Sequence, residues 1–133
     1  MIFPGEKMQR EIGLRTLRYG LVLVFLYFGI SQLLAPSDWT VWLPAWTEAL
    51  PISQETFIIM NGAFETVLAL ALLAGFWTRA AATLLALHLA AITFDIGFTA
   101  TGVRDFGLTI ATAALALLGP DDWSLDTRTA KKH

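Results

Sequence analysis

Four apolar runs, each close to the length of a membrane-crossing helix, take up most of this chain. A bilayer core of ~30 Å needs ~20 consecutive apolar residues in helical form. Within lipid, a helix satisfies every backbone polar group inside its own segment. The runs cover roughly 14–35, 54–76, 78–98 and 103–118, the last barely long enough. Pro36 ends the first, and Gly75 and Gly119-Pro120 stand where caps and stops belong. The expected fold is all-α: a polytopic membrane protein, one domain over 1–133, built as a four-transmembrane-helix bundle with a short tail over 119–133. A 56% hydrophobic content and mean hydropathy of +0.61 are too apolar for a soluble domain of this length.

Lys7, Arg10, Arg15 and Arg18 precede the first run, as in a signal peptide. Tyr19–Ala35 is too long for a typical signal core, and Leu33-Leu34-Ala35-Pro36 lacks a small-x-small cleavage pattern. It reads as a retained first helix. With four spans, those four cations share one side with Arg79, Arg128, Lys131 and Lys132, and only Arg104 falls on the other. The positive-inside rule then places both termini in the cytoplasm. Trp39, Trp42 and Trp46 fall in the first outer loop, and Trp77 and Trp123 at the inner boundary. This is the distribution of aromatic belts. The outer loop is expected to hold a Trp-rich interfacial element, serving as an anchor or as a lid over an outer pocket.

The chain has no cysteine, which excludes thiol relays, iron–sulfur ligation and Cys-attached haem. Of its two His, His133 is in the tail, so a bis-His haem within one chain is not expected. No metal site, covalent cofactor, nucleotide fingerprint or nucleic-acid partner is indicated. If the protein takes part in redox chemistry, the electron source lies elsewhere.

The ionisable groups inside the runs carry the functional signal. Glu65 lies in the second run, ten residues from Gly75, or ~15 Å by helix rise. An intramembrane carboxylate costs roughly 2.5–3.5 kcal/mol on insertion scales, which makes it a functional candidate by default. His88, nine residues from Arg79, is ~13 Å from the same side. Asn61 is one turn from Glu65 on the same face. These three form an expected middle tier; Asp95, Arg104 and Asp105 form an outer one. Thr109 and Thr112 continue from Asp105, and Tyr27, Ser31 and Gln32 lie on the first span. One reading is a proton relay through Glu65 and His88, beside a quinone-like head group held by Asn61, Glu65, His88 and Arg104. The other is structural: Asp95, Arg104 and Asp105 form an ion pair, chiefly Asp95–Arg104, and Glu65 bonds Asn61 or His88. Interhelical hydrogen bonds in membranes average only ~0.6 kcal/mol, a weak reason to bury a carboxylate.

Several of these residues also form a pattern. Gly62-Ala63-Phe64-Glu65, Gly75 and Arg79-Ala80-Ala81 resemble the DoxX family's Gly-xx-Glu helix, its following Gly and its entry to the third helix. Arg104-Asp105, Gly119-Pro120 and Ser124-Leu125-Asp126 are similar to the opening and end of that family's fourth helix. Gly29-Ile30-Ser31-Gln32-Leu33 resembles its Gly-xx-Lys-Leu segment, with Gln32 where a Lys is frequent. The resemblance implies a four-helix inner-membrane protein. The family includes small membrane subunits of thiosulfate:quinone oxidoreductase and proteins linked to redox homeostasis.

The first functional expectation is therefore a membrane subunit of a quinone-linked redox complex, working with a protein partner that carries the redox centres and not catalytic alone. The alternative is a structural or assembly subunit without chemistry of its own. It would dock in a complex or homo-oligomer through small-residue ridges at Ala82, Ala86 and Ala90, at Gly107 and Ala111, and at Ala71 and Gly75. A carrier for protons or small solutes ranks last, because four short helices leave little room.

Overall fold

The computed structural model describes residues 3–131, so Lys132 and His133 lie outside the described residues. The described residues form helices and connecting turns, without strands. They are α1 (Pro4–Leu34), α2 (Gln54–Ala74), α3 (Thr78–Ile96), α4 (Ala100–Leu118) and a short α5 (Leu125–Ala130). Two 3-10 turns, Pro36–Trp42 and Ala45–Ala49, join α1 to α2. The first four helices are each long and apolar enough to cross a membrane. Both ends of the described chain therefore lie at one end of the bundle, and the Trp-bearing turns lie at the other.

The helix limits follow from local chemistry and shift the expected spans. α1 begins at Pro4, a residue suited to a first helical turn, well before the apolar run opens. α2 stops at Ala74, two residues before Phe76. Gly75 there adopts a left-handed conformation (φ 71°), and the Phe76 amide turns back to the Ala71 carbonyl at 2.8 Å. α3 ends at Ile96 because Gly97 (φ 77°) follows. α4 opens at Ala100 instead of Val103, since the Thr99 hydroxyl caps the Gly102 amide at 3.0 Å.

α1 packs mainly on α2 and α3 mainly on α4, and lighter α2–α3 and α1–α4 contacts close the ring. The apolar core fills only the half of the bundle nearer the termini. It comprises Leu21, Val22 and Phe25 with Ala69, Leu72, Ala81, Ala82, Leu85, Leu89 and Leu115. In lipid such a core is held by close van der Waals packing rather than by exclusion of water. Leu23, Leu70, Leu87 and Leu117 point outward, as a lipid-facing surface requires. Ala82 and Ala86 are buried inside the chain, so most of the expected docking ridge on α3 is used within the bundle.

The segment after α4 is docked rather than a free tail. Asp126 accepts the Trp77 and Thr78 amides at 2.9 and 2.7 Å, capping α3. That cap holds Trp77 in a left-handed conformation (φ 49°), uncommon for a residue with a side chain. The Asp126 amide in turn donates to the Gly75 carbonyl at 3.0 Å. Ser124 sits where a Gly75 side chain would be, so only glycine leaves it room.

Candidate functional site

One stripe of α1 faces the bundle: Glu11, Leu14, Arg18, Leu21, Phe25, Gly29 and Gln32 are all buried. Their three- and four-residue spacing is a single helical seam. It carries three polar side chains among apolar ones, and each finds a partner across the bundle.

Near the Trp end, Gly29 and Gly62 bring α1 and α2 into backbone contact. A Cβ on Gly62 would lie 2.8 Å from the Gly29 carbonyl oxygen, and one on Gly29 would lie 2.5 Å from Thr66 Oγ1. The Gly of the Gly62-x-x-Glu65 pattern thus sets the crossing, and the Glu three residues on is turned into the bundle. At that crossing Asn61 Nδ2 donates to Gln32 Oε1 at 2.7 Å and lies 3.5 Å from Glu65 Oε1. Gln32 is the inward residue of α1 here. Tyr27 is exposed, and the Ser31 hydroxyl turns to its own helix at Phe28 O.

Glu65 is 4% exposed, and its Oε1 lies 3.3 Å from Nε2 of His88 on α3. The two atoms are within ion-pair distance but not aligned for a hydrogen bond, so Nε2 is left without a partner, as is Glu65 Oε2. A buried carboxylate and the buried nitrogen of a half-buried ring therefore touch with hydrogen-bonding capacity to spare, an arrangement that costs free energy unless a third group or a proton completes it. Phe64 leans on the His88 ring at 4.8 Å between centroids and fixes its position.

Above this contact the bundle is hollow. A cavity of about 580 Å³ is lined by Gln32, Asn61, Glu65, His88, Asp95, Arg104 and Asp105. Its walls include Tyr27, Phe28, Trp39, Trp42, Trp46 and Phe57. The Trp39 ring meets Phe28 edge-on at 5.5 Å, and Trp46 meets Phe57 at 6.0 Å. The volume falls within the ~300–1,000 Å³ typical of small-molecule sites.

At the mouth, Arg104 binds Asp105, its neighbour in sequence, at 3.1 Å, and its guanidinium carbon stands 5.8 Å from the Phe28 ring centroid. The expected Asp95–Arg104 pair does not form. Asp95 is exposed at the end of α3, and among the described residues it takes part in no salt bridge. Depth matches, but sequence depth carries no information on which way around the helix a side chain points. Thr109 and Thr112 bond to their own helix, Thr109 Oγ1 also lying 3.5 Å from Thr93 Oγ1 of α3.

A second polar cluster closes the opposite end. Arg18, fully buried, meets Asp121 through Nε at 2.7 Å and Nη2 at 3.1 Å. Its Nη1 donates to the Leu72 and Leu73 carbonyls, both at 2.8 Å, at the C-terminal end of α2. Burial alone would push the Asp121 carboxyl up. The hydrogen bonds from Arg18 and the Trp123 amide, with the charges of Arg18 and Arg15, outweigh it and hold Asp121 below the usual carboxylate range. Glu11 accepts the Asp122 amide at 2.9 Å, and Arg79 donates to the Ala116 and Leu117 carbonyls. By position in the sequence, Arg18 reads as a flanking cation. Its place on the Leu14–Leu21–Phe25 seam was the signal that it points inward.

Among the described residues no group of three His, Asp or Glu side chains is placed to hold a metal ion. Comparison with curated proteins and with solved structures gave no match. A family model, DoxX, matches residues 13–98. The match covers most of α1 and all of α2 and α3, including the Gly62–Glu65 pattern and His88; Arg104, Asp105 and the docked tail lie beyond it. The chain is a member of the DoxX family.

Proposed function

We propose that this protein is the membrane subunit of a quinone-linked redox complex of a prokaryotic inner membrane, with the cavity as the head-group site. The observation that carries the reading is the Glu65–His88 contact at the floor of an aromatic-walled cavity within a lipid-facing bundle. The termini lie in the cytoplasm, and the cavity opens towards the outer face.

The residues present fit a ring bearing hydroxyl groups. Oxidising a quinol releases two protons, and each needs an acceptor. Glu65 Oε2, which has no partner, takes one; His88 Nε2 is placed for the second. The Asn61 amide nitrogen is committed to Gln32, so Asn61 offers its oxygen to a hydroxyl. Arg104 and the indole N–H groups are the donors available to ring oxygens. The redox centre that exchanges electrons with the ring belongs to a partner protein, since a chain without cysteine offers few ligands for one of its own. The assembly reading is weaker, because Ala82 and Ala86 are spent inside the bundle.

Purification with native lipids, followed by mass spectrometry, should find bound quinone and a stoichiometric redox partner. Glu65→Gln keeps the shape and removes the base. It should stay folded while the assembled complex loses quinol-linked turnover by roughly 100-fold or more, the usual scale for a proton acceptor. Glu65→Leu should lose the same activity and unfold more easily. Full turnover in the Gln variant would end the relay and leave Glu65 as a packing residue.

A further inference from the structure

The cavity is rich in carboxylates and aromatic faces and poor in positive charge. Glu65, Asp95 and Asp105 line it, against Arg104 as the only guanidinium and His88 as the only imidazole among its lining residues. Arg104 is engaged by Asp105 through both Nε and Nη2, at 3.2 and 3.1 Å. Glu65 and Asp95 are thereby left without a permanent cation. Only His88 stands near Glu65, and it is not aligned with the carboxylate.

The aromatic wall begins near the depth of Glu65 and runs towards the Trp end of the bundle. Phe28 adjoins Gly29, whose backbone packs between Gly62 and Thr66, the two residues that bracket Glu65 on α2. Trp39 reaches down to the Phe28 ring, and Tyr27 stacks edge-on against it at 5.4 Å. Faces of Trp, Tyr and Phe attract cations, most strongly where water is excluded. A buried carboxylate with a free oxygen supplies the countercharge. Bulky cations with spread charge dissolve in the bilayer core, so they can reach a cavity inside a four-helix bundle.

We infer that this cavity binds lipophilic organic cations, ring-bearing phosphonium or quaternary ammonium compounds, with Glu65 as counter-ion and Trp39 and Phe28 as the aromatic wall. The inference stands on charge and lining alone and does not rest on the quinone reading.

The test uses the full chain purified in detergent, with tetraphenylphosphonium as the probe. Tryptophan quenching and calorimetry should show saturable binding to one site per chain. Glu65→Gln should weaken it roughly tenfold or more and Trp39→Ala several-fold, whereas Trp77→Phe, at the other end of the bundle, should leave it unchanged. Tetraphenylborate, an anion of the same shape, should not bind at the site. That comparison needs no variant and so survives a misfolded one. Equal binding of the two probes, or unaltered phosphonium binding in folded Glu65→Gln, overturns the inference. A quinol analogue titrated separately keeps the two proposals apart. A chain that binds it but not the phosphonium refutes this one alone; the reverse refutes the quinone reading alone.

Discussion

Arg18 and Asp121, 103 residues apart in sequence, form a two-point ion pair with both side chains sealed from solvent. The guanidinium also binds two carbonyls of α2, so one side chain ties α1, α2 and the segment after α4 together. Removing one partner leaves the other charge buried and unpaired, which costs about 3–5 kcal/mol. Arg18→Met and Asp121→Leu should each lower the unfolding temperature in detergent markedly. The double variant should recover part of that loss, as measured by a double-mutant cycle.

The pH dependence of that end follows from the sign of the Asp121 shift. Its folded carboxyl titrates below the ordinary value of 3.8. A lowered folded value contributes stability that is complete above the unfolded value and disappears as pH falls through the folded one. The docked tail should therefore hold to below pH 3.8 and then release. Trp123 fluorescence, sensitive to its contact with Tyr19, follows that release. Other carboxylates also dock this segment: Glu11 accepts the Asp122 amide, and Asp126 accepts the Trp77 and Thr78 amides. The step specific to Asp121 is therefore the difference between the wild-type curve and that of Asp121→Asn, which should already be loosened at neutral pH.

At the α1–α2 crossing, any side chain on Gly62 must displace the Gly29 backbone or Gln32. Gly62→Val should cost about 1–3 kcal/mol or more, as overpacking does. It should also break the Asn61–Gln32 bond and shift the Glu65 carboxylate. Infrared spectra of the carboxyl region would show that shift even where the bundle remains helical.

Asp95 and Arg104 give the opposite expectation to a depth-based pairing. A double-mutant cycle on Asp95→Asn and Arg104→Gln should return a coupling within ~0.5 kcal/mol of zero. The Arg104–Asp105 cycle should return about 0.2–1 kcal/mol, as expected for a pair with one exposed member. A strong Asp95–Arg104 coupling would mean that the side chains rearrange in the bilayer.

Reporter fusions at Ser37 and after Lys131 should give opposite sides of the membrane, with the C-terminal fusion cytoplasmic. The four spans put those points at opposite ends of the bundle, and the positive-inside rule predicts that the Lys/Arg-rich end faces inward.

Hydropathy alone made the four spans legible, because in lipid the backbone has few other options. The spacing of Gly62 and Glu65, and the equal depth of Glu65 and His88, were legible for a related reason: helix rise is fixed. Rotation about each helix axis was not. Depth alone therefore paired Arg104 with Asp95, whereas its guanidinium meets Asp105. The Arg18–Asp121 pair was hidden differently. Arg18 stands where flanking cations belong, and Asp121 lies beyond a Gly-Pro stop that reads as the end of structure. Tail docking through Asp126 depends on a left-handed Trp77, which no local preference of Trp announces.

The bundle's core ends about halfway along its length, and this divides the fold energetically. Leu21 to Leu115 lock the half near the termini, whereas the Trp half rests on one glycine crossing and a few polar bonds around empty space. Backbone amides in that half should exchange with solvent deuterium faster than those near Leu72 and Leu85. A molecule that fills the cavity then acts as a missing piece of the interior. It would raise the unfolding temperature in proportion to the logarithm of its concentration, and slow exchange most at the helix ends that now have least to pack against.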